Sequence, residues 1–321
     1  MTWLVTGGAG YIGSHVARAF LDSGIDVVVY DDLSTGSLDF VPDGAIFIEG
    51  SILDEDALSH VFERNMISGV VSVAGYKYAG ESVKRPFHTY TQNVSGLVSL
   101  LSAMHQAGVH NYVFSSSASV YGTPDVDVVT ESCELAPESP YGQTKVIGEW
   151  LAQNMCAIDS DWKFTNLRYF NVVGSGYPEI YDRSPHNLFP IVFDRLLDGQ
   201  VPQINGNDYP TPDGTCIRDY IHVADLAIAH VAAAQVLEQG VKLLPAYNLG
   251  SGRGSSVAEI MAEIAEVTGI AFDPIIAPRR PGDPARIVAD GTAASRDIDW
   301  KMRHSLADMV RSAWESRRLH S

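Results

Sequence analysis

Cysteine is scarce in this chain. Three residues in 321, Cys133, Cys156 and Cys216, lie far apart. An odd, scattered set makes neither a disulfide framework nor a zinc motif, and it suits a reducing compartment, so a cytoplasmic setting is expected. Basic residues are also few, 22 Lys and Arg against 39 Asp and Glu, for a formal charge of −17. Nucleic acid and anionic membrane surfaces are therefore poor general partners. No apolar run reaches the roughly 18 residues that mark a membrane span. The ten histidines form no HxxxH or Cys/His cluster, and no metal is expected. The chain opens on a strand-like stretch, Thr2–Thr6, with no basic region or cleavage site before it, so no signal peptide is read there.

What is present is a β-α alternation. Apolar, β-branched runs at 2–6, 26–30, 45–49, 69–74 and 110–116 read as strands, the one at 26–30 as a strand buried on both faces. Helical periodicity falls at 11–23, 55–65, 89–107 and 140–154, with Gly24 as a stop signal. The expected fold is α/β: a doubly wound parallel (Rossmann) sheet with a second, smaller α/β substrate-binding lobe. The rhythm loosens after 170, and 171–187 and 205–217 are rich in Gly, Pro, Asn, Asp and Tyr, as functional loops often are. Helical patterns return at 224–239, 257–267 and 306–317. Residues 1–170 are expected to form the cofactor domain, with 217–240 returning to it. Residues 171–216 and 241–321 are expected to form the lobe.

The stretch TGGAGYIG at 6–13 places Gly7, Gly10 and Gly13 between a strand and a helix. Glycine there permits a tight turn and close approach to a pyrophosphate, which the helix N-terminus then holds. The second strand ends in Asp31-Asp32, acids that accept from ribose hydroxyls and repel a 2′-phosphate, so NAD is expected over NADP. SSSASVYG at 115–122 ends the fifth strand, and YGQTK at 141–145 follows on a helix. Tyr141 and Lys145 are four apart and share a helix face. Tyrosine titrates near 10, and bringing it to about 7 takes roughly 4 kcal/mol, which a neighbouring ammonium and a cationic nicotinamide can supply.

Taken together these motifs resemble the extended short-chain dehydrogenase/reductases and, within them, the UDP-glucose 4-epimerase family. The resemblance runs through AGYKYAGESV (74–83), NV (93–94), LRYFN (167–171), NLFP (187–190), YNLGSG (247–252) and APRRPGD (277–283). Its most specific stretch is GNDYPTPDGTCIRDYIHV (206–223). It implies Ser117, Tyr141 and Lys145 as catalytic residues. It implies a cofactor site of Gly7, Gly10, Tyr11, Ile12, Gly13, Asp31, Asp32, Ser51, Ile52, Ala74, Gly75, Lys77, Asn93, Ser115, Tyr141, Lys145 and Tyr169. Lys77, Ser117, Tyr141, Phe170, Asn171, Asn187, Leu188, Arg218, Tyr220, Arg280, Asp283 and Ile287 are implied to hold a UDP-sugar. Arginine suits the diphosphate because its fork donates several charge-assisted bonds; Asn187 also reads as a helix N-cap.

The activity implied is interconversion of UDP-glucose and UDP-galactose through transient oxidation at C4 to a 4-ketose, with NAD held throughout. Related dehydratases and decarboxylases carry a carboxylate just after the strand-end serine or threonine. Here Ala118 and Ser119 stand in those places and cannot act as an acid or base, which disfavours elimination. Other UDP-sugar 4-epimerases share the machinery, and a non-catalytic NAD sensor is the alternative outside enzymes. Two departures stand out: Ser51 where the family has an aspartate, and Ile287, of intermediate size, at a position that gates N-acetylated sugars. A homodimer through the helices near 89–107 and 140–154 is implied as well.

Overall fold

A computed structural model of the chain describes residues 1–280 and 283–320. Seven parallel strands form the main sheet: β1 (Thr2–Thr6), β2 (Asp26–Asp31), β3 (Ile46–Glu49), β4 (Ile67–Ser72), β5 (Asn111–Ser115), β6 (Lys163–Tyr169) and, late in the chain, Ala246–Leu249. Their spatial order is the late strand, then β6, β5, β4, β1, β2, β3. The order reverses beside β1, and a ligand crevice is expected at the carboxyl ends of the strands there. The doubly wound α/β expectation holds.

Alternation along β1 sends Trp3 and Val5 to one face and Leu4 to the other, all fully buried. On the first face they meet α1 (Tyr11–Asp22) and the later helix Val223–Glu238; Trp3 packs on Phe20 with ring centroids 5.6 Å apart. On the second face lie α2 (Glu55–Arg64) and, past the short helices α3 (Ala79–Lys84) and α4 (Pro86–Tyr90), α5 (Gly96–Ala107) and the end of α6 (Pro140–Met155).

The lobe has its own apolar cluster, built from α7 (Leu188–Leu197), the helix α9 (Val257–Thr268) that follows α8 (Val223–Glu238), and, beyond α10 (Thr292–Asp297), α11 (Leu306–Leu319). Three small sheets stitch it to the loops around the crevice. They pair β7 (Asn171–Val173) with β10 (Tyr220–His222), and β8 (Gln203–Asn205) with β13 (Ile275–Ala277). They also join β9 (Ile217–Arg218) to β12 (Ser255–Ser256) and β14 (Arg286–Ile287).

Two expected spans differ. The helix expected at 89–107 is divided: α4 ends at Tyr90, a wide π-type turn covers Thr91–Ser95, and α5 begins at Gly96. The segment 241–321, expected in the lobe, first returns β11 (Ala246–Leu249) to the edge of the main sheet, paired with β6. Neither β6 nor β11 reads as a strand in sequence, because their polar residues are buried with partners. Thr165 Oγ1 donates to Leu244 O at 2.9 Å, and Asn166 Nδ2 to Pro245 O at 2.7 Å.

Candidate active site

A cavity of about 610 Å³ runs from the glycine turn after β1 to the lobe, within the size range of small-molecule sites. Its floor at the cofactor end is the turn itself. Gly7 has φ +71°, and a Cβ there would lie 2.6 Å from Ala74 N; a Cβ on Gly13 would run into the Gly7 carbonyl oxygen. Among the described residues no side chain caps the N-terminus of α1 at Gly10. This cradle fits a dinucleotide pyrophosphate: bare backbone, tight approach, and first-turn N–H groups left for an anion. Tyr11, Ile12, Asp31, Asp32, Ile52, Ala74, Gly75 and Lys77 also line the cavity. Asp31 spends its oxygens on the loop, accepting from Ala9 N at 3.0 Å and Leu33 N at 2.8 Å. Asp32 is exposed beside it and accepts from Ser34 N at 3.0 Å.

In mid-cavity stand Ser117, Tyr141, Lys145, Tyr169, Phe170 and Asn171. Ser139 caps α6 by accepting from Gly142 N at 3.1 Å, and Pro140 occupies the first helical position, so the helix start that presents Tyr141 is well defined. Lys145 Nζ donates to Ser115 O at 2.7 Å and lies 5.8 Å from the centre of the Tyr141 ring. Ser117 Oγ accepts from Ser119 N at 3.2 Å and Ser119 Oγ at 3.0 Å, and its hydroxyl is near enough to the Tyr141 phenol to pull it down.

The electrostatics run against the expected lowering of Tyr141. Burial pushes its phenol up, and Ser117 pulls it back only in part. Burial also pushes Lys145 down to about 8, against the pull of Glu149. Lys145 stays largely charged at neutral pH, but that charge does not offset the burial of the phenol, so the side chains alone do not make Tyr141 a ready base.

Asn187, Leu188 and Tyr220 line the lobe end. Asn187 sits at the N-cap of α7, yet its amide donates to Asp182 Oδ2 at 2.5 Å. Asp182 Oδ1 is 3.7 Å from Lys77 Nζ, so this unforeseen acid draws two expected site residues together. Arg280 lines an adjoining cavity with Lys77 and Asn187. Arg218 Nη2 is buried without a hydrogen bond among the described residues; Asp283 Oδ1 lies 3.3 Å away, in ion-pair range only. A guanidinium nitrogen with no hydrogen bond made has one to offer an anionic ligand. Positions 281 and 282 of the 277–283 motif lie outside the described residues.

Six expected residues, Arg218 and Asp283 among them, stand away from the cavity wall. Asn93 is turned inward, accepting from Tyr76 N (2.6 Å) and donating to Tyr76 O (3.0 Å) and Thr144 Oγ1 (2.9 Å). Ser115 lies behind the wall, its hydroxyl 2.8 Å from His230 Nε2. Ser51 Oγ accepts from Leu53 N at 3.3 Å. Ile287 packs in an apolar cluster with Val120, Tyr121 and Phe170. The sequence reading also missed Glu149, Arg168 and Asp219. Asp219, fully buried, accepts from Ser251 N (2.6 Å), Gly252 N (3.1 Å) and Ala289 N (3.0 Å), tying the lobe strands together. Glu149 had a signal, since it continues the four-residue spacing of Tyr141 and Lys145.

The geometry agrees with what the chain is similar to. The model of the NAD dependent epimerase/dehydratase family matches residues 3–250, and the chain belongs to that family. Within it, the similarity is to UDP-glucose 4-epimerases. The chain is 40% identical over 328 residues to the UDP-glucose 4-epimerase of Bacillus subtilis (strain 168), covering 98% of this chain and 96% of the relative. The crystal structure of UDP-glucose-4-epimerase from Stenotrophomonas maltophila, with bound NAD and formylated UDP-arabinopyranose, superposes with a TM-score of 0.95 at 38% identity, covering 100% of this chain and 98% of that one. UDP-glucose 4-epimerase from Brucella ovis in complex with NAD gives 0.93 at 38% identity, over 98% and 97% of the two chains.

Proposed function

We propose that this chain inverts the configuration at C4 of a UDP-hexose, interconverting UDP-glucose and UDP-galactose with NAD retained. The observation that carries this is one cavity that holds Ser117, Tyr141 and Lys145 between a glycine cradle and the lobe, with Ala118 and Ser119 where elimination would need a carboxylate. The similarity to UDP-glucose 4-epimerases supports the choice of substrate. NAD, when bound, supplies reversible hydride transfer at C4 and a ring cation that favours phenolate.

The chain's own residues do the rest. Tyr141 Oη takes the proton of the sugar 4-hydroxyl and later gives it back. Ser117 Oγ orients that hydroxyl. Lys145 Nζ, fixed on Ser115 O, holds positive charge next to the phenol. Gly7, Gly10 and Gly13 receive the cofactor pyrophosphate, and Asp31 and Asp32 the adenosine ribose. Asn187, Arg218, Arg280 and Tyr220 anchor the UDP. Strong contacts gathered on the diphosphate side leave the hexose free to turn and present its other face. The reading includes a homodimer, supported by exposed Val98 on α5 and Trp150 on α6, and a cytoplasmic setting. Among the described residues no helix is long and apolar enough to cross a membrane.

Incubating the purified protein with UDP-galactose, UDP-N-acetylgalactosamine, UDP-glucuronate and UDP-xylose, with NMR of the products, tests this. UDP-glucose should form from UDP-galactose without release of reduced cofactor. No epimer from UDP-galactose would refute the proposal.

A further inference from the structure

We infer that the buried ion pair between Glu149 and Arg168 is a positioning device, holding the turn that carries Ser117 in register with the helix that carries Tyr141. The inference rests on the reading that Ser117 and Tyr141 work together on the sugar 4-hydroxyl. Tyr141, Lys145 and Glu149 are spaced by four on α6 and so share one face. Tyr141 and Lys145 line the cavity, while Glu149 lies beneath it, 4% exposed, against Arg168 of β6, 6% exposed. The two meet as a fork: Arg168 Nε donates to Glu149 Oε1 at 2.9 Å, and Nη2 to Oε2 at 2.6 Å.

Each partner also grips the segment around Ser117. Ser116 Oγ donates to Glu149 Oε1 at 2.5 Å. On the far side of Ser117, Arg168 Nη1 donates to Tyr121 OH at 2.8 Å. Tyr121 OH donates onward to Asn248 Oδ1 at 2.7 Å, and Asn248 Nδ2 to Val129 O at 2.9 Å. The short 3-10 turn Ala118–Tyr121 is therefore clamped at both ends. Helix α6, strands β5, β6 and β11, and the Ser117 turn become one rigid unit.

Stability is a weak reason for such a pair, since well-packed apolar side chains often replace a buried ion pair at no loss. What apolar side chains cannot reproduce is the directional fork, which fixes angles as well as distances. Ser117 and Tyr141 sit on two different elements, and their contact depends on how those elements are held.

The test measures kcat, KM and NAD content for Glu149→Gln, alone and combined with Ser117→Ala. Alone, Glu149→Gln is expected to lower kcat roughly 10- to 100-fold, the scale of a small misplacement of a reacting group. NAD content and KM should stay close to the parent's. In the Ser117→Ala background the same change, measured near pH 6 where Lys145 is charged without the pull of Glu149, should lower kcat by less than about 3-fold, because its route is already cut. Equal losses in both backgrounds would overturn the inference. Full activity in Ser117→Ala alone would instead sink the reading beneath it. If Glu149→Gln does not fold, Ser116→Ala with Tyr121→Phe cuts both grips and leaves the ion pair in place. It should show the same background-dependent loss, and an unchanged kcat there would overturn the inference.

Discussion

Tyr141 and Lys145 are buried together, and burial works on them in opposite directions. It disfavours phenolate and ammonium alike, raising the tyrosine and lowering the lysine to about 8. Their usefulness as a pair therefore depends on pH. Lys145 is charged below about 8 and loses its charge as pH rises through that value, and its support of phenolate goes with it. Turnover is expected to decline above about pH 8. Lys145→Met should be slower throughout and lack that limb, which pH–rate profiles of the two proteins will show. Tyr141→Phe, which removes the proton acceptor and little volume, should lower kcat by roughly 10² to 10⁴ with NAD still bound. Retained activity within about 10-fold would take the role of base away from Tyr141.

Turns and their supports, rather than single side chains, shape the cofactor end. Gly13→Ala puts a methyl against the Gly7 carbonyl. A cost of about 1–3 kcal/mol is expected from such overpacking. The cradle would deform with it, so the variant should purify with less NAD, read by cofactor content and thermal melting. Asn93 supports the opposite wall. It sits in the wide turn between α4 and α5, where one extra residue per turn aims its amide at Tyr76 and Thr144. Asn93→Ala deletes three hydrogen bonds, the one to Thr144 fully buried, a loss of about 3 kcal/mol in urea unfolding at roughly 1 kcal/mol each. Because the loop it holds leads into Lys77, KM for the UDP-sugar should rise as well. The sequence shows Asn93 beside the site but not its role, since its partners Tyr76 and Thr144 meet only after α6 packs on α4.

Across the whole molecule, three buried histidines are kept neutral by burial, against the pull of Tyr11 O on His15 and of Leu226 O on His230. His15 uses Nδ1 on Tyr11 O (2.7 Å), and its Nε2 accepts from Gly176 N (2.9 Å). Nδ1 of His222 accepts from Ala224 N (3.0 Å), and its Nε2 lies 3.0 Å from Ser312 Oγ. His230 links Leu226 O to Ser115. Burial lowers all three to about 4. With folded values below the unfolded 6.5, the unfolded chain binds more protons between about 6.5 and 4. Stability is therefore full above about 6.5 and falls as pH drops toward 4, by up to roughly 3 kcal/mol for each histidine. Urea melts across that range should show the slope, and His15→Gln should flatten it. A flat profile in the parent would refute the assignment. Because His15 and His222 join the main sheet to the lobe segments, acid should loosen the lobe first.

Much of this was written locally in the chain. Strands buried on both faces are apolar runs, the glycine turn is contiguous, and a four-residue spacing puts Tyr141 and Lys145 on one side of any helix. Those features follow from backbone geometry and side-chain size, so composition and spacing alone determined the first five strands of the sheet, the cradle and the helix face. Tertiary structure decided what depends on distant partners. It brought β11 into the main sheet beside β6, turned Asn93 and Ser115 away from the cavity, and buried Ile287 in an apolar cluster. It also raised the phenol, leaving more of its lowering to the nicotinamide cation than to Lys145, and closed the fork between Glu149 and Arg168. The reason is the same in each case: desolvation and hydrogen bonding between residues far apart in sequence exist only once the elements have packed.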